Sequence, residues 1–309
     1  MSGGVAAAAE ILRAACGDRL RERVSIAPLT TFRLGGPAAL YLEPESLDDL
    51  RAIARAVAAT DIAVVVLGKG SNVLVSDAGV DGLVLRLGRG FRWAAREGSH
   101  LTAGGAMPLP ALAGIALSHG LAGLEFGIAI PATLGGAVRM NAGAHGRSLA
   151  DVVERVDVFD LRDGGVRSVE APDAGFRYRG SEFGESAVVV GARLGLEPGD
   201  RDAIRTRMDE ARAWRRETQP VAEPNCGSVF KNPEGAHAAR LVEEAGCKGL
   251  AVGGASVSRK HANFIVAGEG ARADDVARLI AAVRDAVRER TGIELEPEVR
   301  FLGAFDARS

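Results

Sequence analysis

Ser228 is the residue whose surroundings raise the sharpest question about chemistry. It lies in the stretch NCGSVFKNP, residues 225–233, with Cys226 two residues before it and Lys231 three residues after it. A serine nucleophile needs an activating base, and no histidine lies within this stretch. The residue types leave three roles open: a nucleophile whose partners lie elsewhere, a proton donor in another chemistry, or a turn residue.

The rest of the chain offers little for nucleophilic or metal chemistry. The stretch around Ser228 lacks the G-x-S-x-G pattern of a nucleophile elbow. The 5 histidines and 3 cysteines show no metal-ligand spacing, and the cysteines are too few and too far apart for a disulfide framework. Hydrolase and zinc-enzyme functions are therefore weakly supported, and we expect no metal site.

A first glycine-rich loop follows the apolar run IAVVVLG and contains Gly68, Lys69, Gly70, Ser71 and Asn72. Successive backbone N–H groups of such a turn can converge on an anion, and the serine and asparagine side chains add donors. The spacing matches neither the P-loop nor the dinucleotide-binding G-x-G-x-x-G pattern. The loop therefore indicates a pyrophosphate site, with a plain β-turn between two strands as the alternative.

A second glycine-rich loop, GIAIPATLGGAVRMNAGAHG, covers residues 127–146. Glycine loses more conformational entropy on folding than any other residue, so such a segment is costly to order unless something packs against its backbone. A long flat ligand would do so, and a surface loop is the alternative. The candidate ligand-binding residues are Gly127, Ile130, Pro131, Thr133, Gly135, Gly136, Asn141 and Gly143.

Polar residues in three later stretches are further candidates. Tyr178 and Arg179 could hold a carboxylate, since a guanidinium binds that group through two hydrogen bonds, or Arg179 is a surface arginine. Lys260 and His261 precede an apolar run and could meet phosphates, or the histidine is structural. Glu298 lies two residues after another glutamate near the end of the chain, on the same face of a predicted strand or as part of an exposed pair.

Hydrophobic periodicity and turn residues predict the elements that position these residues. The predicted helices cover residues 46–59, with Ser46 as N-cap, then 109–120, 201–217, 236–246 and 273–292. The predicted strands cover residues 62–68, 82–87, 155–161, 186–196 and 295–303. We expect no regular structure between residues 120 and 146, because turn-forming residues are so frequent there. The mixture predicts an α+β protein with a domain boundary near residue 200.

Composition limits the possible partners and location. The chain has 309 residues, 47% hydrophobic and 25% charged, with a formal net charge of −2. Without a basic run or an apolar stretch of roughly 20 residues, neither nucleic acid nor membrane binding is indicated. We expect an untargeted cytoplasmic protein that is a monomer or a weak oligomer.

Several stretches, taken in order, resemble the UDP-N-acetylenolpyruvoylglucosamine reductase (MurB) family. They are TTFRLGGPA, LGKGSNVLVSD, GLEFGIAIPATLGGAVRMNAGAHG, FRYRGSEF, NCGSVFKNPEG, ASVSRKHANFIV and LEPEVRFLG. The resemblance implies an FAD-binding domain of the vanillyl-alcohol oxidase/PCMH-like type over residues 1–200, with lobes of about 1–86 and 87–200. A smaller α+β substrate-binding domain over 201–309 would follow, its last strand returning to the active site.

The resemblance also implies an activity, in which NADPH reduces an enolpyruvyl nucleotide sugar through FAD during peptidoglycan precursor synthesis. It assigns proton donation to Ser228, and Arg179 and Glu298 would act on the substrate carboxylate and the intermediate. The two glycine-rich loops would hold FAD. The residues that would contact the nucleotide sugar are Tyr178, Lys231, Asn232, Lys260 and His261.

Three departures from the family pattern stand out. Many members have glycine where this chain has Lys69 and Ala132, and lysine where it has Thr218. The chain also lacks the tyrosine-bearing insertion of one subgroup, so it resembles the shorter, second type. Two other functions are kept open: an FAD-dependent alcohol or sugar oxidase of the same flavin fold, and a non-catalytic protein that binds a nucleotide sugar.

Overall fold

A computed structural model describes residues 3–305 of the chain and divides it into two compact units, each built from separate segments. Unit 1 contains the described residues up to Glu22, Ala39–Lys69 and Asp81–Trp214. Unit 2 contains Arg23–Ala38, Gly70–Val80 and the described residues from Arg215 onward. Residues 1, 2 and 306–309, which the predicted domains include, lie outside the described part.

Helices and strands are interspersed along the described chain. The α-helices are α1 (Gly3–Cys16), α2 (Leu47–Thr60), α3 (Leu109–Ser118), α4 (Leu134–Arg139), α5 (Arg201–Thr218), α6 (Ala238–Glu244) and α7 (Ala273–Thr291). The strands up to the middle of the chain are β1 (Arg21–Ser25), β2 (Pro37–Leu42), β3 (Val64–Val66), β4 (Val73–Val75), β5 (Val80–Leu85), β6 (Ala94–Glu97), β7 (His100–Gly104), β8 (Leu121–Ala122), β9 (Gly143–Ala144) and β10 (Arg147–Ser148). The later strands are β11 (Val153–Asp160), β12 (Val166–Glu170), β13 (Ala187–Gly195), β14 (Glu197–Pro198), β15 (Ala251–Val252), β16 (Ala255–Val257), β17 (Ile265–Ala267) and β18 (Arg300–Leu302).

The sheets differ in strand direction. One sheet has the order β1-β2-β5-β3, and its β3 and β5 run parallel with Val64 opposite Leu83. A second, antiparallel sheet has the order β12-β11-β13-β7-β6. In unit 2, β15, β16 and β17 form an antiparallel sheet, and β18 pairs with β4 in parallel.

Strand β13 lies between two hydrophobic cores of unit 1. Successive side chains of a strand point to opposite faces, and β13 is buried on both. Val188 and Val190 join the core that contains α1 and α2. Val189, Ala192 and Leu194 join the core that contains α3 and α4. This explains why the sequence of β13 is an almost uninterrupted apolar run.

In unit 2, helix α7 covers the small antiparallel sheet. The predicted apolar stripe, Val276, Ile280, Val283 and Val287, is buried in the core of this unit. The helix ends as predicted at Gly292, whose φ of 73° is a left-handed conformation that suits glycine at this position.

The prediction of helix α2 is confirmed at its start. The Ser46 side chain accepts a hydrogen bond from the Asp49 backbone N–H, which is the predicted N-cap contact. The expectation of no regular structure between residues 120 and 146 is wrong, because this segment contains α4 and a 3₁₀ turn at Glu125–Ala129. Thr133 caps α4 by accepting from Gly136 N, and Gly135 N donates to Gly105 O, so tertiary contacts override the low helix propensity of glycine.

Helix α5 differs from the expected domain arrangement. We predicted a domain boundary near residue 200, before this helix. Its buried residues Ile204, Met208 and Ala211 instead pack in a core of unit 1. The turn before the helix thus reverses the chain within unit 1, and the units divide between Trp214 and Arg215.

Replacing Met208 by alanine should lower the free energy of unfolding by about 2–5 kcal/mol, because it removes a large side chain from a packed core. The exposed Glu210 of the same helix provides the control, and Glu210→Ala should change stability by less than about 0.5 kcal/mol. Urea unfolding measures both. Equal effects of the two substitutions would show that the Met208 side chain is not packed as described.

Candidate active site

Unit 1 contains a cavity of about 290 Å³. Several residues of the two predicted ligand-binding loops line it, namely Gly68, Lys69, Thr133, Gly135 and Gly136. The cavity therefore brings parts of both glycine-rich loops together. Among the described residues, its lining does not include Gly127, Ile130 or Pro131.

Glycine is required where the cavity wall is tightest. A Cβ atom on Gly68 would lie 2.7 Å from Thr133 Oγ1, the oxygen that caps α4. A Cβ atom on Gly105 would lie 2.0 Å from Val189 O, and one on Gly135 would lie 2.9 Å from the same oxygen. Side chains at these positions would force the loops apart, so the sequence builds this wall from backbone.

The cavity lining is strongly cationic. Lys69, Arg86, Arg89, Arg92 and Arg139 all lie on it. Arginine and lysine side chains converging on one cleft favour an anionic ligand, and guanidinium groups suit phosphate oxygens in particular. The composition of the lining thus agrees with the predicted pyrophosphate site.

Sequence reasoning missed the arginines that follow strand β5. Arg86, Arg89 and Arg92 recur at every third position in the stretch LRLGRGFRW. Their position at and after the end of the predicted strand 82–87 was the available signal, because the ends of strands are common places for ligand-binding residues. The periodicity alone would not have joined them to Lys69, which is distant in sequence.

Glu43 is the acidic residue on this lining. Its Oε1 accepts a hydrogen bond of 2.5 Å from the hydroxyl of the buried Tyr41. Burial, and next the contact with Glu43, raise the pKa of Tyr41 to about 12. Tyr41 therefore remains a hydrogen-bond donor at physiological pH and holds the Glu43 carboxylate in place.

The loop that carries Arg179 is held against the second glycine-rich loop, also within unit 1. Arg179 Nη1 donates to Gly143 O at 3.1 Å, and the Arg179 guanidinium lies 5.2 Å from the centre of the Tyr178 ring. The Asn141 side chain donates to Arg177 O at 3.1 Å and accepts from Ala150 N at 2.9 Å. Asn141, predicted to bind the cofactor, here fixes the turn that carries Arg179.

Arg179 adopts a left-handed backbone conformation, with a φ of 55°. This conformation is uncommon for residues other than glycine and costs on the order of 1 kcal/mol. Reciprocal hydrogen bonds between the backbones of Arg177 and Gly180 stabilise the turn. The fold thus holds the Arg179 backbone in one uncommon geometry.

Unit 2 brings Ser228 and Glu298 together. Val229 O, one residue beyond Ser228, accepts a hydrogen bond of 2.7 Å from Glu298 N. Phe230 and Pro297 form an antiparallel bridge next to it. The last segment of the chain, predicted as a strand over 295–303, is a regular strand only at β18, and its extended start pairs with the Ser228 segment.

Gly227 allows the chain to enter this pairing. Its φ is 81°, a conformation that L-residues rarely adopt, and its N–H donates to Asn225 Oδ1 at 2.9 Å. Burial raises the pKa of the adjacent Cys226 thiol, and the charge of Glu298 raises it further. Cys226 is therefore a protonated core residue at neutral pH and a poor nucleophile.

The predicted anion-binding turn is divided between the units. Gly68 and Lys69 belong to unit 1, and Gly70, Ser71 and Asn72 to unit 2. The Asn72 amide donates to Glu298 O at 3.1 Å. The turn is not a hairpin, because β3 pairs with β5 and β4 pairs with β18. Asn72 thus helps to place the glutamate segment.

The candidate substrate-binding residues of unit 2 have contacts of their own. Lys231 Nζ lies 2.5 Å from Glu296 Oε1 in an exposed ion pair, and Asn232 Oδ1 accepts from Ala238 N at 3.0 Å. Lys260 Nζ donates to Arg216 O at 2.5 Å, near the C-terminal end of α5. These lysines are held in position by carboxylate and carbonyl oxygens that an anionic ligand would have to replace.

One hydrogen bond and one aromatic contact hold the His261 ring in place. Its Nδ1 accepts from Asn263 N at 3.2 Å, and its ring lies 4.7 Å from the Phe264 ring in an edge-on arrangement. Burial lowers the pKa of His261. At neutral pH the ring is therefore uncharged, with Nδ1 as the acceptor.

Other kinds of site are absent from the described part of the chain. Residues 3–305 contain no cluster of three or more histidine, cysteine or acidic residues that could hold a metal ion. No helix within the same residues is long and apolar enough to cross a membrane. The three cysteines are buried and reduced.

Family models match both parts of the chain. Residues 38–170 match the FAD binding domain, and residues 219–302 match the C-terminal domain of UDP-N-acetylenolpyruvoylglucosamine reductase. A reductase of that name from Heliobacterium modesticaldum is 48% identical over 276 residues, covering 89% of this chain and 88% of the relative. The chain belongs to the UDP-N-acetylenolpyruvoylglucosamine reductase family. The resemblance inferred from its motifs is confirmed, and members of this family are FAD-dependent oxidoreductases.

Solved structures support the same family and fold. The MurB crystal structure from Thermus caldophilus has a TM-score of 0.81 and 37% identity, covering 92% of this chain and 100% of that one. A berberine bridge enzyme variant, at 13% identity and a TM-score of 0.50, covers 63% of this chain and 44% of its own, and shows the flavin fold alone. The predicted α+β fold with an FAD-binding domain of the PCMH-like type is confirmed.

The cavity in unit 1 fits the cofactor that the family uses. Its walls are backbone where glycine is required, which allows close approach of a flat ligand, and its cationic lining suits a diphosphate.

Gly68→Ala should lower FAD affinity at least 10-fold, because the added methyl group displaces Thr133. The matched control is Gly165→Ala, where a Cβ meets nothing within 4 Å. Flavin fluorescence during titration of the apoprotein measures both, and equal affinities would contradict the fit.

The lowered pKa of His261 predicts a pH dependence. Well above pH 6.5, the pKa of an unperturbed histidine, the ring is neutral in both the folded and unfolded states. As the pH falls from 6.5 through the lower folded value, the unfolded state takes up the proton first and stability is lost. Urea midpoints should therefore fall more between pH 7.5 and pH 5 for the wild type than for His261→Asn, which keeps an acceptor without titrating. Parallel losses would show that His261 does not contribute.

Proposed function

We propose that the protein reduces UDP-N-acetylglucosamine enolpyruvate to UDP-N-acetylmuramate with NADPH, in peptidoglycan precursor synthesis. The observation that supports this most directly is the pairing of the Ser228 segment with the Glu298 segment through Val229 O. This pairing places a neutral hydroxyl and a carboxyl group on neighbouring backbone segments. Family membership supplies the substrate class and the direction of the reaction.

When bound, FAD would supply the hydride chemistry, which is transfer from NADPH to the terminal carbon of the enolpyruvyl double bond. The protein's own task follows from the charge that this addition creates. Negative charge develops on the neighbouring carbon and its carboxylate, and groups fixed in place before the reaction stabilise such charge best. Arg179 is our candidate for the carboxylate, because a guanidinium can donate two hydrogen bonds and hydrogen bonds hold the turn that carries it.

Ser228 would complete the addition by giving its hydroxyl proton to the carbon next to the carboxylate. A serine hydroxyl is a weak acid in water, but the carbanion is a strong base, so a positioned hydroxyl is a competent donor. The serine then regains a proton from solvent. Glu298 would either donate to the intermediate as a protonated acid or orient it through a hydrogen bond.

The residues that the sequence motifs assign to the substrate would bind the nucleotide sugar. Lys231 and Lys260 carry the charge for its diphosphate, while Asn232, His261 and the exposed Tyr178 would contact its polar and ring parts. Lys231 would exchange its exposed ion pair with Glu296 for a phosphate oxygen. Such a pair contributes only about 0–1 kcal/mol, so the exchange costs little.

FAD would be held by both glycine-rich loops, as the sequence predicted. Gly68, Lys69, Thr133, Gly135 and Gly136 lie on the cavity in unit 1, together with the arginines that follow β5. Lys69 replaces a glycine of the family pattern and would add a positive charge near the diphosphate. The other residues that the sequence predicted to contact FAD remain part of this proposal. So do the FAD-binding and substrate-binding functions of the two predicted domains.

Anaerobic absorption spectroscopy of the purified protein tests the function. NADPH should bleach the flavin band near 450 nm, and the enolpyruvyl substrate should restore it with formation of the lactyl ether. A flavin that is reduced by an alcohol or sugar and reoxidised by oxygen would indicate an oxidase instead. A colourless protein that binds the nucleotide sugar without turnover would contradict the enzyme function altogether.

Ser228→Ala should separate the two halves of the reaction. Flavin reduction by NADPH should stay within about 2-fold of the wild type, because no proton is delivered to carbon in that half. Flavin reoxidation by substrate should slow by at least 10²-fold, within the range that general acid catalysis supplies. Stopped-flow absorbance measures each half separately. A large loss in the first half-reaction, or none in the second, would remove Ser228 from the proposed role.

A further inference from the structure

Asn263 holds the backbone on one side of the Ser228 segment. This residue is almost fully buried, with 4% of its surface exposed. Its Oδ1 accepts from Phe230 N at 2.9 Å, and its Nδ2 donates to Phe230 O at 2.8 Å. The amide side chain therefore pairs with both polar groups of one backbone residue, as a neighbouring strand would.

The backbone of Asn263 adds a further contact to the same segment. Its carbonyl oxygen accepts from Val229 N at 2.9 Å. Three hydrogen bonds thus join Asn263 to the two residues that directly follow Ser228. Because buried polar groups are costly to leave unpaired, this contact set strongly prefers one position of the segment.

The opposite edge of the segment pairs with the glutamate strand. Glu298 N donates to Val229 O at 2.7 Å, and Lys231 N donates to Glu296 O at 2.9 Å. Residues 229–231 therefore lie between Asn263 and the segment that carries Glu298. Any shift of Phe230 would be transmitted to Ser228 on its N-terminal side.

On its N-terminal side, Ser228 follows Gly227, whose N–H donates to Asn225 Oδ1 at 2.9 Å. Gly227 has no side chain that could pack at its φ of 81°, so the residues after Ser228 supply the further contacts that position it. We propose that Asn263 is a positioning residue that sets the direction of the Ser228 hydroxyl through the backbone of Val229 and Phe230. This inference rests on the proposed role of Ser228 as proton donor.

A double-mutant cycle on the flavin-loaded enzyme tests it. Asn263→Leu keeps the number and branching of the side-chain heavy atoms but removes both side-chain hydrogen bonds. Displacement of a reacting group by about 1 Å can cost about 10²-fold in rate. Flavin reoxidation by the enolpyruvyl substrate should therefore slow by about 10- to 100-fold, while flavin reduction by NADPH stays within about 2-fold. In Ser228→Ala, adding Asn263→Leu should cause no further loss, because a misplaced methyl group donates no proton.

Each outcome of the cycle decides a separate point. If Asn263→Leu slows reoxidation as much in the Ser228→Ala background as in the wild type, Asn263 does not act through Ser228 and the inference is wrong. If Ser228→Ala itself leaves reoxidation unchanged, the proton-donor role fails and the inference fails with it. Unchanged reoxidation in Asn263→Leu alone overturns the inference while leaving the role of Ser228 intact.

Two further variants test whether the effect of Asn263→Leu is only a general loss of stability. Asp275 is another buried polar residue of unit 2, with 5% exposed, and its carboxylate accepts from Gly254 N and Arg272 N. Asp275→Asn should lower the unfolding midpoint without separating the two half-reactions. If Asn263→Leu does not fold, Asn263→Ser enters the same cycle, since the smaller side chain leaves room for water to satisfy Phe230.

Discussion

The hydrogen bond from Glu298 N to Val229 O is the constraint on which the proposed acid site depends. It joins two segments that are about seventy residues apart in sequence, and it fixes one directly beside Ser228. Asn263 secures the other edge of the same short segment, and Asn72 secures the glutamate side through Glu298 O. A serine that must deliver a proton to carbon needs a fixed direction more than it needs a base. The surrounding hydrogen bonds supply that direction.

In unit 1, the main constraint is the shape and charge of the cavity. This cavity must admit a flat anionic ligand close to the backbone, so glycine occurs wherever a Cβ atom would collide with an opposing chain. Arginines from the end of β5 and a lysine from the first loop provide the charge. Strand β13 is part of this wall, since Ala187 and Val189 line the cavity, and its alternating side chains are buried in two cores. The sheet thus positions glycine-rich loops that would be costly to order without contacts from the rest of the unit.

Much of this could be predicted from the sequence, and the exceptions have physical causes. The cap at Ser46, the apolar stripe of α7 and the family motifs depend on local patterns, and the structure or the comparisons confirmed them. Helix α4 was missed because its glycines lower helix propensity, and the packing that compensates is not local. The arginines of the cavity and the role of Asn263 were missed for a related reason. Their partners are distant in sequence, so the neighbouring residues alone do not connect them to these sites.

The most direct test of this account is native-state hydrogen exchange of the amides that hold the Ser228 segment. Val229 N, Phe230 N, Lys231 N and Glu298 N each donate to an acceptor within the cluster. We predict that all four exchange slowly and with similar protection, because they open as one cooperative unit. Exchange of these amides at the rates of an unstructured peptide, or at widely different rates, would contradict the claim that this cluster fixes Ser228 and Glu298 together.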